Sequence, residues 1–238
     1  MMLANIGDFL FRFRNLIFPL CLPLALLPGP PLFDKLLVAA ATGFLIAAMG
    51  EAVRAGTIGL QYIVRGGKDR RVYAKDLVTG GLYAHTRNPM YVGNMLILVG
   101  LAIASNSWAC VAVAIPFYAF VCAAIVAAEE RYLRGRFGAD FDAYCLDVPR
   151  WLPRLPGIGA TLADHSFNWR RVVLKEYGTP TGWVLAWGVL AFWNLTRSDG
   201  GTDAHHSAVV AVAVIVAVML VFWIFARIVK KSHRWGKV

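Results

Sequence analysis

Long apolar runs broken by short polar clusters set the pattern of this chain. Six of them are long enough to be candidate membrane-crossing helices, at about 15–32, 35–53, 89–105, 107–128, 180–195 and 207–229, because crossing the hydrocarbon takes roughly 20 apolar residues. Pro19, Pro23 and Pro28 kink or shorten the first. The second closes in Glu51 and Arg54, and its short connection to the first predicts a hairpin. Only Ser105-Asn106-Ser107 separates the third from the fourth, too little chain for anything but an antiparallel pair. The fifth carries Trp183, Trp187 and Trp193 in the manner of interfacial anchors. Pro149, Pro153 and Pro156 with Gly157 and Gly159 mark an irregular link, which divides the chain into a core, 1–156, and a C-terminal addition, 157–238. In the addition, the basic stretch 167–177, with Trp169, Val172, Val173 and Leu174 interspersed, predicts an amphipathic interfacial helix ahead of the last two spans. The expected fold class is therefore all-α, a polytopic integral membrane bundle of about six helices.

Composition agrees with that pattern. Of 238 residues, 58% are hydrophobic and 16% charged, with a mean hydropathy of +0.58, whereas soluble domains carry about 25% charged residues. The net charge of +10 would suit a polyanion binder, but the placement of the basic residues points to topology instead. Six spans with both termini in the cytoplasm put Arg12, Arg14, 54–87, 131–175 and the tail from Arg227 to Lys237 on the inner side, leaving Lys35 and Arg197 outside. No nucleic-acid partner is needed; Lys230 and Lys231 would meet anionic lipid heads. Arg12 and Arg14 precede an apolar run as in a signal peptide, but that run ends at Leu27-Pro28-Gly29-Pro30-Pro31 without a small-x-small cleavage site, so a retained first span is expected. Cys21, Cys110, Cys122 and Cys145 show no metal-ligand spacing, and the adjacent His205-His206 falls in an expected polar loop, so no metal site is expected.

The chemistry concentrates in two stretches that this topology brings to one face. The first is Val78 to Gly93, where Gly80-Gly81 permits a tight turn, Tyr83 and Tyr91 flank it, and Arg87-Asn88-Pro89 opens an apolar helix. Proline at a first helical position leaves the following amides free for an anionic group, which Arg87 could grip in a fork. The second is Glu129-Glu130 at the polar end of an apolar run, followed by Phe137-Gly138, Tyr144 and Val148-Pro149-Arg150. Two carboxylates at a membrane boundary are costly unless paired with cations. Adjacent helical residues point about 100° apart, so one can face inward while the other stays with Arg131, Arg134 and Arg136. An inward carboxylate opposite the Arg87 helix start suits a ligand bearing both ammonium and carboxylate. No P-loop, G-x-S-x-G or H-E-x-x-H is present, so ATPase and hydrolase readings lack support.

Together, the Gly-x-Tyr turn, Arg-x-Pro-x-Tyr-x-Gly, Glu-Glu, Phe-Gly, Tyr and Val-Pro resemble the membrane-embedded isoprenylcysteine carboxyl methyltransferase and phospholipid N-methyltransferase family, over roughly 50–155. The resemblance implies S-adenosylmethionine as cofactor, bound on the cytoplasmic side, and a lipid-like or small amphiphilic acceptor entering from the bilayer. Carried over by position, it implies that Leu77, Val78, Tyr83, Asn88, Pro89, Met90, Tyr91 and Glu129 or Glu130 surround the cofactor. It further implies that Arg87 and Glu130 act in catalysis and that Arg150 closes the site. Asn88 stands where eukaryotic members have histidine, and Ile125-Val126-Ala127-Ala128 lacks the arginine that handles a prenylcysteine carboxylate, which argues against that acceptor. A sterol-type NADPH reductase shares the Arg-x-Pro-x-Tyr-x-Gly stretch and is the rival enzyme reading; a non-catalytic membrane scaffold is the rival from another class.

Overall fold

A computed structural model describes residues 2–20, 22–27, 29–61, 72–197 and 202–232. Among these, the secondary structure is wholly helical: α1 (Met2–Leu20), α2 (Leu36–Leu60), α3 (Pro89–Ala104), α4 (Trp108–Phe137), α5 (Ala139–Asp147), α6 (Ile158–Asp164), α7 (Trp169–Glu176), α8 (Gly178–Thr196) and α9 (Thr202–Lys231), with single 3-10 turns at Leu22–Leu26 and Gly81–Ala84. Among the described residues, three helices are long and apolar enough to cross a bilayer, α2, α4 and the Val209–Lys231 part of α9, and α3 is apolar but shorter. Among the described residues, three of the expected six spans thus meet that test. α1 carries Asp8, Arg12 and Arg14, and α8 begins with glycines and threonines, which lowers their apolarity.

The first expected span, 15–32, is displaced. Its helix runs from Met2 to Leu20, and the proline-interrupted sequence after it forms the 3-10 turn. Nor does it form a hairpin with the second. α1 lies antiparallel along α4, burying Ala4, Gly7 and Phe11, a three- and four-residue spacing that marks one helical face. A Cβ on Gly7 would fall 1.9 Å from the Ala124 carbonyl oxygen, so the two backbones touch. Asn5 and Asp8 accept from Arg131 near the C-terminal end of α4.

The partner of α2 is α3. A Cβ on Gly43 would lie 2.5 Å from Gly100 O, and one on Gly50 2.5 Å from Gly93 O, so the pair is a glycine-on-glycine antiparallel contact of the kind that van der Waals packing favours in lipid. α3 and α4 form the expected antiparallel pair, and the turn is built by Asn106 at φ 52°. Its side chain accepts from Leu32 N (3.1 Å) and Phe33 N (2.9 Å) and donates to Phe33 O (3.0 Å). Ser107 caps α4 by accepting from Cys110 N.

α8 packs against α2, α3 and α9. Two of its tryptophans point inward rather than to an interface: Trp183 and Trp187 are each 7% exposed, stack against Phe44 at 5.3 and 5.1 Å, and donate to Glu51 (3.2 Å) and the Ala40 carbonyl (2.9 Å). Trp193 is exposed. The stretch 167–177, expected to be an amphipathic helix, forms α7. The polar loop expected around His205-His206 is instead the first turns of α9, while Asp199 and Cys21 lie outside the described residues. Lys230, at the far end of α9, sits over the Tyr177 ring at 5.1 Å. The start of α1 and the end of α9 therefore share one end of the bundle, together with the ends of α2 and α4 and the starts of α3 and α8.

Candidate functional site

That shared end holds both chemical stretches. The turn after Leu77 and Val78 needs Gly81 at φ 59°, where a Cβ would also lie 2.9 Å from Gln61 Cβ. The segment that follows is fastened to the chain beyond α5. Arg87 N donates to Pro149 O (2.9 Å) and Arg154 N to His85 O (3.0 Å). Asn88 Nδ2 donates to Arg150 O (3.0 Å), and the His85 ring nitrogens meet Arg154 O and Thr161 Oγ1, each at 2.8 Å. Tyr144 donates to Tyr83 O at 2.7 Å; burial pushes its phenol above the ordinary range, so it remains a donor at neutral pH. Backbone groups buried without water need such partners.

The acid pair lies within α4 rather than at its end, because the helix continues two turns to Phe137. Both carboxylates turn to the same cavity, with different company. Glu130, 5% exposed, accepts from Arg150 through both oxygens (Nε at 3.0 Å) and lies 3.2 Å from Arg87 Nη1. Its cations are thus Arg87 and Arg150, not the neighbouring Arg131, which pairs with Asp8, or Arg134, which pairs with Asp142. Glu129 accepts from the Tyr91 hydroxyl at 2.8 Å. Arg87 also donates to Cys145 Sγ, and its Nε is buried with no partner. At the start of α3 the amides of Tyr91 and Val92 both close on Asn88 O (3.0 Å each), so these two are not free for an anion as expected from Pro89.

These groups open on a cavity of about 1030 Å³, at or above the roughly 300–1,000 Å³ that holds one small ligand. Leu77, Val78, Tyr83, Arg87, Asn88, Met90, Tyr91, Glu129 and Glu130 all line it. Pro89 is buried outside the lining, and Arg150 does not line the cavity but meets its lining residues Glu130, through its side chain, and Asn88, through its carbonyl. The cavity then continues along the bundle between apolar walls, past Leu98 and Tyr118 to Ala102, Cys110 and Ala114.

Sequence reasoning missed a second polar cluster on its wall. Arg54 of α2 is 6% exposed and Glu176 of α7 2%; Arg54 Nε donates to Glu176 Oε1 (2.6 Å), Nη2 to Thr179 Oγ1 (3.2 Å), and Nη1 to Asn94 Oδ1. Arg54, Asn94 and Thr179 line the cavity. The stem of Arg54 crosses α3 at Gly93, where a Cβ would lie 2.5 Å from Arg54 Cγ. The available signal was an arginine six residues inside the end of an apolar helix, a costly placement that asks for a partner.

Residues 35–140 match the family model of phospholipid methyltransferases. The matched region holds α2, α3, α4 and every expected site residue except Arg150. Among curated proteins, the chain is 37% identical over 79 residues to the cobalt-zinc-cadmium resistance protein CzcN of Cupriavidus metallidurans, covering 33% of this chain and 36% of that protein. It is 34% identical over 80 residues to the nickel-cobalt-cadmium resistance protein NccN of Alcaligenes xylosoxydans xylosoxydans, covering 34% and 37%. The chain thus spans little more than a third of the length of these relatives. No solved structure matches.

Proposed function

We propose that the protein is an integral membrane methyltransferase that uses S-adenosylmethionine, bound at the cytoplasmic face, to methylate a lipid-like or small amphiphilic acceptor. The observation that carries this reading is one cavity in which Glu129 with Tyr91, and Arg87 with its unpartnered buried Nε, stand at the polar end while the other end is apolar. The residues fit an amino-acid zwitterion. Among the described residues no arginine pairs with Glu129 by contact, and its carboxylate suits an ammonium or sulfonium centre. Arg87 offers a buried N–H that lacks an acceptor, which suits a carboxylate.

When bound, the cofactor supplies an electrophilic methyl group on sulfur. Transfer of such a group is an in-line displacement, so the protein's share is alignment and exclusion of water. Glu130 holds Arg87 and Arg150 in place through its contacts with both, and it is the weaker choice as proton acceptor because those contacts already occupy its two oxygens. If the acceptor is an ammonium, its proton goes to Glu129. Tyr83 and Tyr91 border the polar end, where their rings can pack on a planar or cationic group.

Two measurements test the reading. Calorimetry on the purified chain is expected to give binding of S-adenosylhomocysteine and none of NADPH; NADPH binding alone would turn the reading to a reductase, and binding of neither to a scaffold. Incubation with methyl-labelled cofactor and a total lipid extract, followed by mass spectrometry, is expected to yield a labelled amphiphile.

A further inference from the structure

The same cavity has a wall from outside the phospholipid methyltransferase region. Gly178, Thr179, Gly182, Trp183 and Ala186 of α8 line it, two turns of helix or about 12 Å. Gly182 is exposed although it lines the cavity, and a Cβ there or at Gly178 would meet no atom within 4 Å. Among the described residues, nothing covers the cavity along these glycines. One turn before Gly182, the buried Arg54–Glu176 pair and Thr179 hold the start of α8 against α2. Beyond the opening, the cavity floor is made of small side chains, Ala102, Cys110 and Ala114, which leave room between α3, α4 and α8.

We propose that the opening beside Gly182 is the side entrance for the acceptor, that the acceptor carries a long apolar chain lying toward Ala102 and Ala114, and that Gly182 sets the width of that entrance. This rests on the methyltransferase reading for the word acceptor, but the chain site itself does not need the reaction. Its chemistry is an apolar chain entering from the membrane, because a soluble metabolite would gain nothing from an apolar channel that leads away from the charged groups. Bulk at Gly182 fills the entrance without touching Glu129, Arg87 or Tyr91.

The test is photocrosslinking in bilayer vesicles with a fatty acid bearing a terminal diazirine, the full chain being digested and the labelled peptides sequenced. The expected result is labelling within 102–114 in the wild type, reduced at least fivefold in Gly182→Phe and unchanged in Val189→Phe, whose site is exposed on the same helix but outside the cavity. Gly182→Leu, a smaller block, is expected to give an intermediate loss and keeps the test alive if the phenylalanine prevents folding. Labelling confined to outward faces such as 210–228, or equal labelling of 102–114 in all variants, overturns the proposal. Binding of S-adenosylhomocysteine, measured on the same preparations, is expected to match the wild type in every folded variant; its absence from the wild type would refute the methyltransferase reading while leaving the labelling result to decide the entrance.

Discussion

Replacing the two adjacent glutamates one at a time separates support from ligand contact. Glu130→Ala removes a buried carboxylate that accepts from Arg150 and pairs with Arg87. Breaking such a pair costs about 3–5 kcal/mol when the surviving charge stays buried. Here the Arg150 side chain is 47% exposed and can turn to water, while that of Arg87 is 15% exposed and cannot. The lower end, about 3 kcal/mol, is expected, which lowers a thermal midpoint by roughly 6–12 °C in a chain of this size. Glu129→Ala removes one bond from Tyr91, so its midpoint is expected to move less than half as far. Binding should rank the other way. On the proposed reading, loss of the carboxylate that faces the cofactor's ammonium, a group S-adenosylhomocysteine shares, removes a charge-assisted contact of about 1.5–3 kcal/mol, weakening S-adenosylhomocysteine roughly ten- to a hundredfold. Differential scanning fluorimetry and calorimetry on both variants read the two effects. A Glu129→Ala protein that binds at wild-type affinity, or a Glu130→Ala protein with an unshifted midpoint, would refute the division of labour.

Three further outcomes are expected. Arg54→Ala removes an arginine that pairs with Glu176, 2% exposed, and bonds Asn94 and Thr179, and should cost about 3–5 kcal/mol, whereas the double variant Arg54→Met with Glu176→Leu should recover most of it, as read by thermal melting. Gly50→Val places a Cβ 2.5 Å from the Gly93 carbonyl, so α2 and α3 must separate and the purified protein should aggregate on size-exclusion chromatography. Asn106→Gly keeps the left-handed turn but drops its three side-chain bonds to Leu32 and Phe33, and should destabilise by about 2 kcal/mol; Asn106→Ala adds backbone strain and should lose more.

What the sequence disclosed was local. Arg87-Asn88-Pro89, the paired glutamates and the proline-bounded segment near Arg150 each carry their chemistry within a few residues, and the cavity gathers most of them. Pairings between distant helices were not legible. Arg54 and Glu176 are 122 positions apart, and each alone resembles an ordinary membrane-boundary charge. The first helix was misplaced because hydropathy favoured 15–32, while the face that packs on α4 is the sparse Ala4-Gly7-Phe11 row, visible only once the partner is known. The tryptophans of α8 misled for a related reason: indoles suit an interface, but an N–H with an inward acceptor, Glu51 or Ala40, suits a bundle interior equally well.

Gly93, the last letter of Arg-x-Pro-x-Tyr-x-Gly, has a duty its motif would not suggest. By lacking a side chain it opens a passage across α3 for the arginine that tethers α7. An alanine there would push the Arg54 stem aside and weaken one of the ties that hold α7 and the start of α8 to the half that bears the acidic pair. Two regions that look separable along the chain are joined, in space, in part through the room left by one absent methyl group.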